Sequence, residues 1–138
     1  MLALAPIVEQ LKSGGFRHVE GVLELPSAEE TGLVLPSLFV MPLVETASAN
    51  AMAGRRDQAV DTGFGVLVTV DAARRNRAGV SDELKAQVDK VVDLITGWQH
   101  PEASRACDYA GGRLSGAGRT SVSWLVRFSS RFHLRKDR

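Results

Sequence analysis

Three histidines, one cysteine and two glycine clusters are the residues of this chain that chemistry would recruit first. His18, His100 and His133 lie too far apart, with no paired histidines at helical spacing and no cysteine pair, to compose a metal site by sequence motif. Each is expected to be a surface or hydrogen-bonded histidine. Cys107 has no neighbouring base and falls where a strand is expected, so it reads as a small core-filling residue rather than a nucleophile. Gly111-Gly112 and Gly116 to Gly118 precede a strand, whereas a phosphate-cradling loop opens a helix. They are expected in turns or a bulge. Asp108 and Tyr109 are adjacent in an expected strand and so point to opposite faces. The candidate catalytic set is therefore empty, and no metal or cofactor is expected.

Two other groups of polar residues suit contact rather than catalysis. Arg127, Arg131 and Arg135 recur every fourth residue within an alternating segment, so on a strand they share one face. At a rise near 3.3 Å per residue they stand about 13 Å apart, too far to hold one small anion together. That spacing fits a ladder of separate contacts, either to acids of a neighbouring subunit or to the wall of a channel through which DNA passes. The neighbouring subunit is the favoured reading, with Asp61, Asp71, Glu83 or Asp89 as acceptors. Arg55, Arg56 and Asp57 close the longest stretch without apolar periodicity, Glu45 to Gln58. They are the candidate partner-contact loop, set against the plainer reading of a solvated loop.

The elements that position these groups are legible from periodicity. From Val122 to Leu134 every even residue except Ser130 is apolar, including Trp124, Val126, Phe128 and Phe132, while the odd positions are mostly polar or basic. This period of two predicts a long strand buried on one face. Val60 to Asp71 alternates similarly, loosened by Gly63 and Gly65. Leu38 to Val44 is apolar on both faces and suits a central strand, with a bulge expected at Pro42. Phe16 to Leu25 is expected to be a first strand with Val19 inward, and Ser27 to Glu30 a helical turn. A further strand is expected over Ala106 to Leu114, before a Gly-rich turn from Ser115 to Arg119.

A short amphipathic helix is expected over Leu4 to Leu11, stopped by Gly14-Gly15. The second helix is expected from Asp82 to Thr96, with Ser81 as N-cap, a stripe of Leu84, Val88, Val91, Val92 and Ile95, and Gly97 as the stop. The order predicts an α+β domain: a mostly antiparallel mixed sheet of about four to five strands, with two helices packed on it. Residues 1–138 form a single domain, without repeats or an internal linker.

Composition narrows the function classes. With 17 basic and 16 acidic residues the net charge is +1, unlike a dedicated nucleic-acid binder. A lone cysteine fits a reducing compartment. No apolar run approaches the length of a membrane span, and Met1 to Val8 lacks the basic leader of a secretory signal, so no membrane partner is expected.

The C-terminal third carries a familiar layout. Leu94-Ile95-Thr96-Gly97-Trp98 leads to His100-Pro101, then Tyr109-Ala110-Gly111-Gly112-Arg113-Leu114, then Trp124, Phe128 and Leu134-Arg135. This resembles the small tail terminator proteins of long-tailed bacteriophages, and Leu2 to Val8 resembles that family's first helix. The last hairpin departs from the pattern: Gly116-Ala117-Gly118-Arg119 stands where several members carry acidic or aromatic residues. The resemblance implies a non-enzymatic virion protein of the tail and neck, assembled in the host cytoplasm. It implies a homo-oligomeric ring, typically a hexamer, that caps the tail tube, stops its polymerisation and provides the head-joining surface. The implied partners are the major tail tube protein and a head–tail connector or neck protein, with DNA passing through the ring without sequence-specific binding. Trp98 and Pro101 are expected to anchor the helix exit, and Trp124, Phe128 and Phe132 to be core. The competing reading is a small non-catalytic α+β ligand-binding or regulatory module that dimerises through sheet edges. A ring seen by electron microscopy separates the two.

Overall fold

The computed structural model describes residues 1–21, 35–72 and 77–137. They form helix α1 (Leu4–Ser13), strands β1 (Val19–Gly21), β2 (Ser37–Ala47) and β3 (Arg56–Asp71), helix α2 (Arg77–Ile95), and strands β4 (Asp108–Ala117) and β5 (Ser121–Lys136). The strands make one mixed sheet in the order β1-β2-β3-β5-β4, with β1 parallel to β2 and every other pair antiparallel. This is the expected α+β arrangement. The helical turn expected at Ser27 to Glu30, and the end of the first strand beyond Gly21, lie outside the described residues.

Strands β3 and β5 are the spine. Their pairing runs without a break from Arg56 opposite Lys136 to Asp71 opposite Ser121. The even residues of both strands face the helices: Phe64, Val66 and Val68 of β3 join Val126 and Phe128 of β5 in the core. Leu38 and Val40 of β2 and Val19 of β1 add to the sheet's share, and Ile7 and Leu11 of α1 with Val91 and Ile95 of α2 cover it. Ser130, the polar interruption of the β5 alternation, is fully buried, and its hydroxyl donates to the Arg105 carbonyl at 2.9 Å. A buried hydroxyl is tolerated because it has that acceptor. Trp124 is half-buried against the core, and Phe132 is likewise only half-covered.

Several boundaries differ from the sequence expectation, and the first strand begins at Val19 rather than Phe16. Helix α2 begins at Arg77, so Ser81 lies inside it rather than capping it. Val80 is the reason: it precedes Leu84 by four residues, extends the buried stripe by one turn and is itself half-buried. The long loop between β2 and β3 shrinks to residues 48–55, because Glu45–Ala47 and Arg56–Gln58 join the ladder through their backbones. Cys107 lies just before β4 rather than within it, and β4 continues through Gly116 and Ala117, leaving residues 118–120 as the turn. The bulge expected at Pro42 is present, as a register shift between Pro42 and Val44. Burial of β2 on both faces ends before it: Leu38, Phe39 and Val40 are buried, but Leu43 and Val44 are exposed.

Gly111 and Gly112 fulfil the bulge expectation. The register slips between Tyr109 and Gly111, where Gly111 takes φ of +111°, a region that favours glycine. At Gly112 a Cβ would stand 2.4 Å from Trp124 Nε1, so the strand can pass the indole only without a side chain. The helix exit is anchored by Trp98 and His100, whose rings meet edge-on at 5.7 Å, while Pro101 sits in an exposed turn and anchors nothing. Gly97 ends the helix at φ +83° as expected.

Candidate functional site

The basic ladder of β5 is opposed within the same chain. In the β3–β5 register Arg135 faces Asp57, Arg131 faces Asp61 and Arg127 faces Gly65, so the spacing by four on one strand is matched by the same spacing on the other. Arg131 Nε donates to Asp61 Oδ1 at 2.8 Å, and Arg135 Nε to Asp57 Oδ2 at 3.4 Å. Opposite Gly65 no acid is available, and Arg127 Nη2 instead donates to the Ala110 carbonyl at 3.0 Å, holding the β4 bulge. Asp61, expected as a neighbouring subunit's acceptor, thus serves Arg131 of its own chain. Asp89 likewise pairs with Lys85 one turn away on α2.

These pairs shift their carboxyls. The ring N–H that His133 donates to Asp57 holds that carboxyl below its ordinary value of 3.8, with the charge of Arg135 adding to the effect. The hydrogen bond from Arg131 does the same for Asp61. A depressed folded-state value stabilises the fold at every pH above the ordinary carboxylate range, and that contribution disappears as pH falls through the depressed value. The melting temperature is therefore expected to drop on acidification below about pH 4, and to drop less in Arg131→Ala, which has lost one pair already. Equal slopes in the two proteins would show the Asp61–Arg131 pair to be energetically silent.

The predicted contact loop resolves into two unlike parts. Arg55 ends the turn and Arg56 begins β3, both exposed, whereas Asp57 is turned to His133 and Arg135. Arg56 stands directly opposite Lys136 in the ladder. Like charges facing each other across strands oppose pairing, and Arg55, Arg56 and Lys136 make a cationic tip without a salt bridge among the described residues. The tip is held in shape by Asn50. Its side-chain amide donates to the Met52 and Arg55 carbonyls, and its Oδ1 accepts from the Asp57 N–H at 2.8 Å. Sequence reading missed Lys136 and Asn50; a hairpin drawn through Ser48 to Arg55 brings Asn50 to the tip, whereas Lys136 reaches it only through the β3–β5 register.

The remaining surface feature is apolar. Leu43 and Val44 on β2, and Tyr109 and Leu114 on β4, are 41%, 65%, 48% and 54% exposed. All four fall in expected strands; for Leu43 and Val44, in a segment expected to be buried on both faces, the predicted Pro42 bulge is the signal that residues after it leave the buried register.

The groups with catalytic potential are dispersed. His18 is exposed, and His133 serves Asp57. His100 is buried, accepting the Glu102 N–H at Nδ1 and donating from Nε2 to the Ala3 carbonyl at 2.8 Å. Those two bonds fix one neutral tautomer, since Nδ1 cannot both accept and carry a proton. Burial pushes the Cys107 thiol up to about 11, which keeps it protonated and unreactive at neutral pH. Among the described residues no group of three or more His, Cys, Asp or Glu is placed to hold a metal, and no helix is long and apolar enough to cross a membrane.

The family model described as phage tail terminator protein matches residues 1–138. No curated protein sequence matches the chain. A chain of the solved structure "Virion of native gene transfer agent (GTA) particle" shares the fold, with a TM-score of 0.60 at 14% identity, over 96% of this chain and 96% of that one.

Proposed function

The chain belongs to the phage tail terminator family, structural components of the phage tail, and from that premise we propose that it is the subunit of a ring, hexameric as the family resemblance implies, that caps the tail tube. The ring stops tube polymerisation and presents the surface that a head–tail connector or neck protein joins, with DNA passing through its hole without sequence-specific contact. The subunit acts by shape and surface, not by catalysis. The observation that carries this reading is the family match along the entire chain. The cationic tip supports it: a pre-organised hairpin end that suits an acidic surface on another protein. Arg55 and Arg56 are the contact residues of that tip, joined by Lys136, while Asp57 acts through the β3–β5 ladder. Arg127, Arg131 and Arg135 lie on the sheet face away from the helices, where Asp61 and Asp57 balance Arg131 and Arg135 while Arg127 keeps its charge and holds the Ala110 carbonyl.

Two measurements on the same samples test the reading. Negative-stain images of the purified protein are expected to show rings with a central hole, and tails assembled without the protein are expected to be overlong and headless. The triple variant Arg55→Ala, Arg56→Ala, Lys136→Ala is expected to melt like the parent, since these side chains are exposed, but to join tails to heads several-fold more slowly. A compact dimer without a hole would favour the ligand-binding module instead, and normal joining by the triple variant would remove the tip from the contact.

A further inference from the structure

The glycine pair of β4 opens the last strand of the sheet to side chains of its neighbour. At Gly112 the place of a Cβ is filled by the Trp124 indole of β5, and at Gly111 a Cβ would stand 3.6 Å from Arg127 Nη2. Trp124 belongs to the helix-facing side of the sheet and Arg127 to the other. The two glycines thus let β5 present a ring on one side of β4 and a guanidinium on the opposite side. Residues of β4 itself repeat the division. Tyr109 and Leu114 stand opposite Phe128 and Trp124 on the helix-facing side, 48% and 54% exposed. Exposed Arg113 stands opposite Leu125, which shares the side of Arg127 two residues along the strand.

Among the described residues no strand lies beyond β4, and neither 22–34 nor 73–76 adjoins it in the chain. Every β4 residue except Gly111 is exposed, and the strand carries neither lysine nor proline, the usual guards of an edge. Charge is one-sided here. Arg113 and Arg127 have no salt bridge among the described residues, and Asp108, the only acid of β4, bridges to neither. Arg127 uses one donor on the Ala110 carbonyl, whereas a guanidinium carries several.

We propose that the β4 edge takes an extended segment of another protein in which apolar and acidic residues alternate. Alternate side chains of an added strand fall on opposite sides of the sheet. The apolar ones then lie against Tyr109, Leu114 and the Trp124 indole, and the acidic ones against Arg113 and Arg127. Two cations without a carboxylate between them favour an acid over a lysine, while the apolar side disfavours a segment acidic throughout. The register slips at Ala110 and Ser115 bound the regular edge to Gly111–Leu114, about 13 Å at 3.3 Å per residue, so the occupant is a short strand. This surface lies apart from the cationic tip, because β4 pairs only with residues 122–129 of β5 and the tip is at Lys136. It does not depend on the capping reading.

Short fluorescein-labelled peptides, read by fluorescence anisotropy, supply the test. One alternates valine and glutamate, one alternates valine and lysine, and a third repeats the first with every amide N-methylated. The first is expected to bind the parent protein. The other two are expected to bind many-fold more weakly, because lysines meet Arg113 and Arg127 and methylation removes the strand's donors. Arg113→Glu and Leu114→Ser are each expected to weaken the acidic peptide several-fold from opposite sides of the strand. Both positions are exposed, so both variants are expected to melt like the parent, and either one alone decides. The tip variant Arg55→Ala, Arg56→Ala, Lys136→Ala is expected to bind the acidic peptide as the parent does. Loss of binding in the tip variant, with Arg113→Glu unaffected, would place the peptide at the tip and overturn the edge site. Undiminished binding of the methylated peptide would overturn strand addition, and a parent that binds no acidic peptide would overturn the proposal outright. A lower oligomeric mass of Arg113→Glu or Leu114→Ser by native mass spectrometry would mean that a second copy holds the edge, and would overturn a foreign segment.

Discussion

Phe128→Ala is expected to lower stability by about 3–5 kcal/mol, the range for truncating a buried aromatic. Phe128 is 1% exposed at the middle of β5, and its ring lies 5.5 Å from that of Phe64 on the paired strand and 6.3 Å from that of Tyr109. Removing it empties the space between the sheet and the helices, where the close-packed neighbours Val66 and Val126 belong to a strand pair and cannot shift independently. A domain of this size has a total stability on the order of 5–15 kcal/mol, so the variant forfeits much of it. A melting temperature lower by about 10–20 °C is the expected reading. A loss of only a few degrees would mean that the core collapses around the gap, and that the β3–β5 spine is more pliable than its unbroken register implies.

The second large effect is expected at His100, through hydrogen bonds rather than volume. Leucine fills a similar space but takes the acceptor from the Glu102 N–H and the ring donor from the Ala3 carbonyl, at about 1 kcal/mol each. The damage is expected to be local as well as global. Ala3 precedes α1, so losing the ring bond loosens the helix start from the 98–103 turn, to which the Ala3 N–H still holds through Glu102 Oε1 at 2.8 Å. Hydrogen exchange at the Glu102 amide should accelerate more than exchange at Val126 in the sheet. If Glu102 and Val126 change in parallel, His100 acts as ordinary core filling and not as the clamp between the first helix and the turn after α2.

What the residues disclosed in advance was whatever rests on local periodicity. The alternation of β5 placed Phe128 and Val126 inward, Pro42 announced a bulge, and Gly97 and Gly111 marked positions of positive φ. Beyond reach was whatever depends on which strands become neighbours. The arginine ladder was visible, but not that Asp57 and Asp61 would stand opposite it, because that requires the β3–β5 register. Ser81 resembled a cap, yet the apolar stripe continuing to Val80 outweighed it. Glu45 to Gln58 lacked side-chain periodicity and read as loop, although backbone pairing needs no apolar pattern and the polar side chains of Asn50, Ser48 and Gln58 close the turn. The exposed apolar residues were the least legible of all, for Leu43, Val44, Tyr109 and Leu114 have the residue types of a core and differ only in their exposure.

The unbroken pairing of β3 with β5 also governs how such a chain can diverge. Exchanging one residue for another in either strand disturbs one site, but inserting a single residue turns every side chain beyond it to the opposite face. Phe64 and Val66 would leave the core, and Asp61 would leave Arg131. The outer strands are built otherwise: β2 at Pro42, and β4 at Ala110 and Ser115, already contain slips in register. Changes of length are therefore tolerable in the rim of the sheet and in the turns at 48–55 and 118–120, while the two inner strands drift in composition at constant length. Descendants of this fold should differ in the reach of their hairpins and the outline of their edges, around a spine whose residue count does not change.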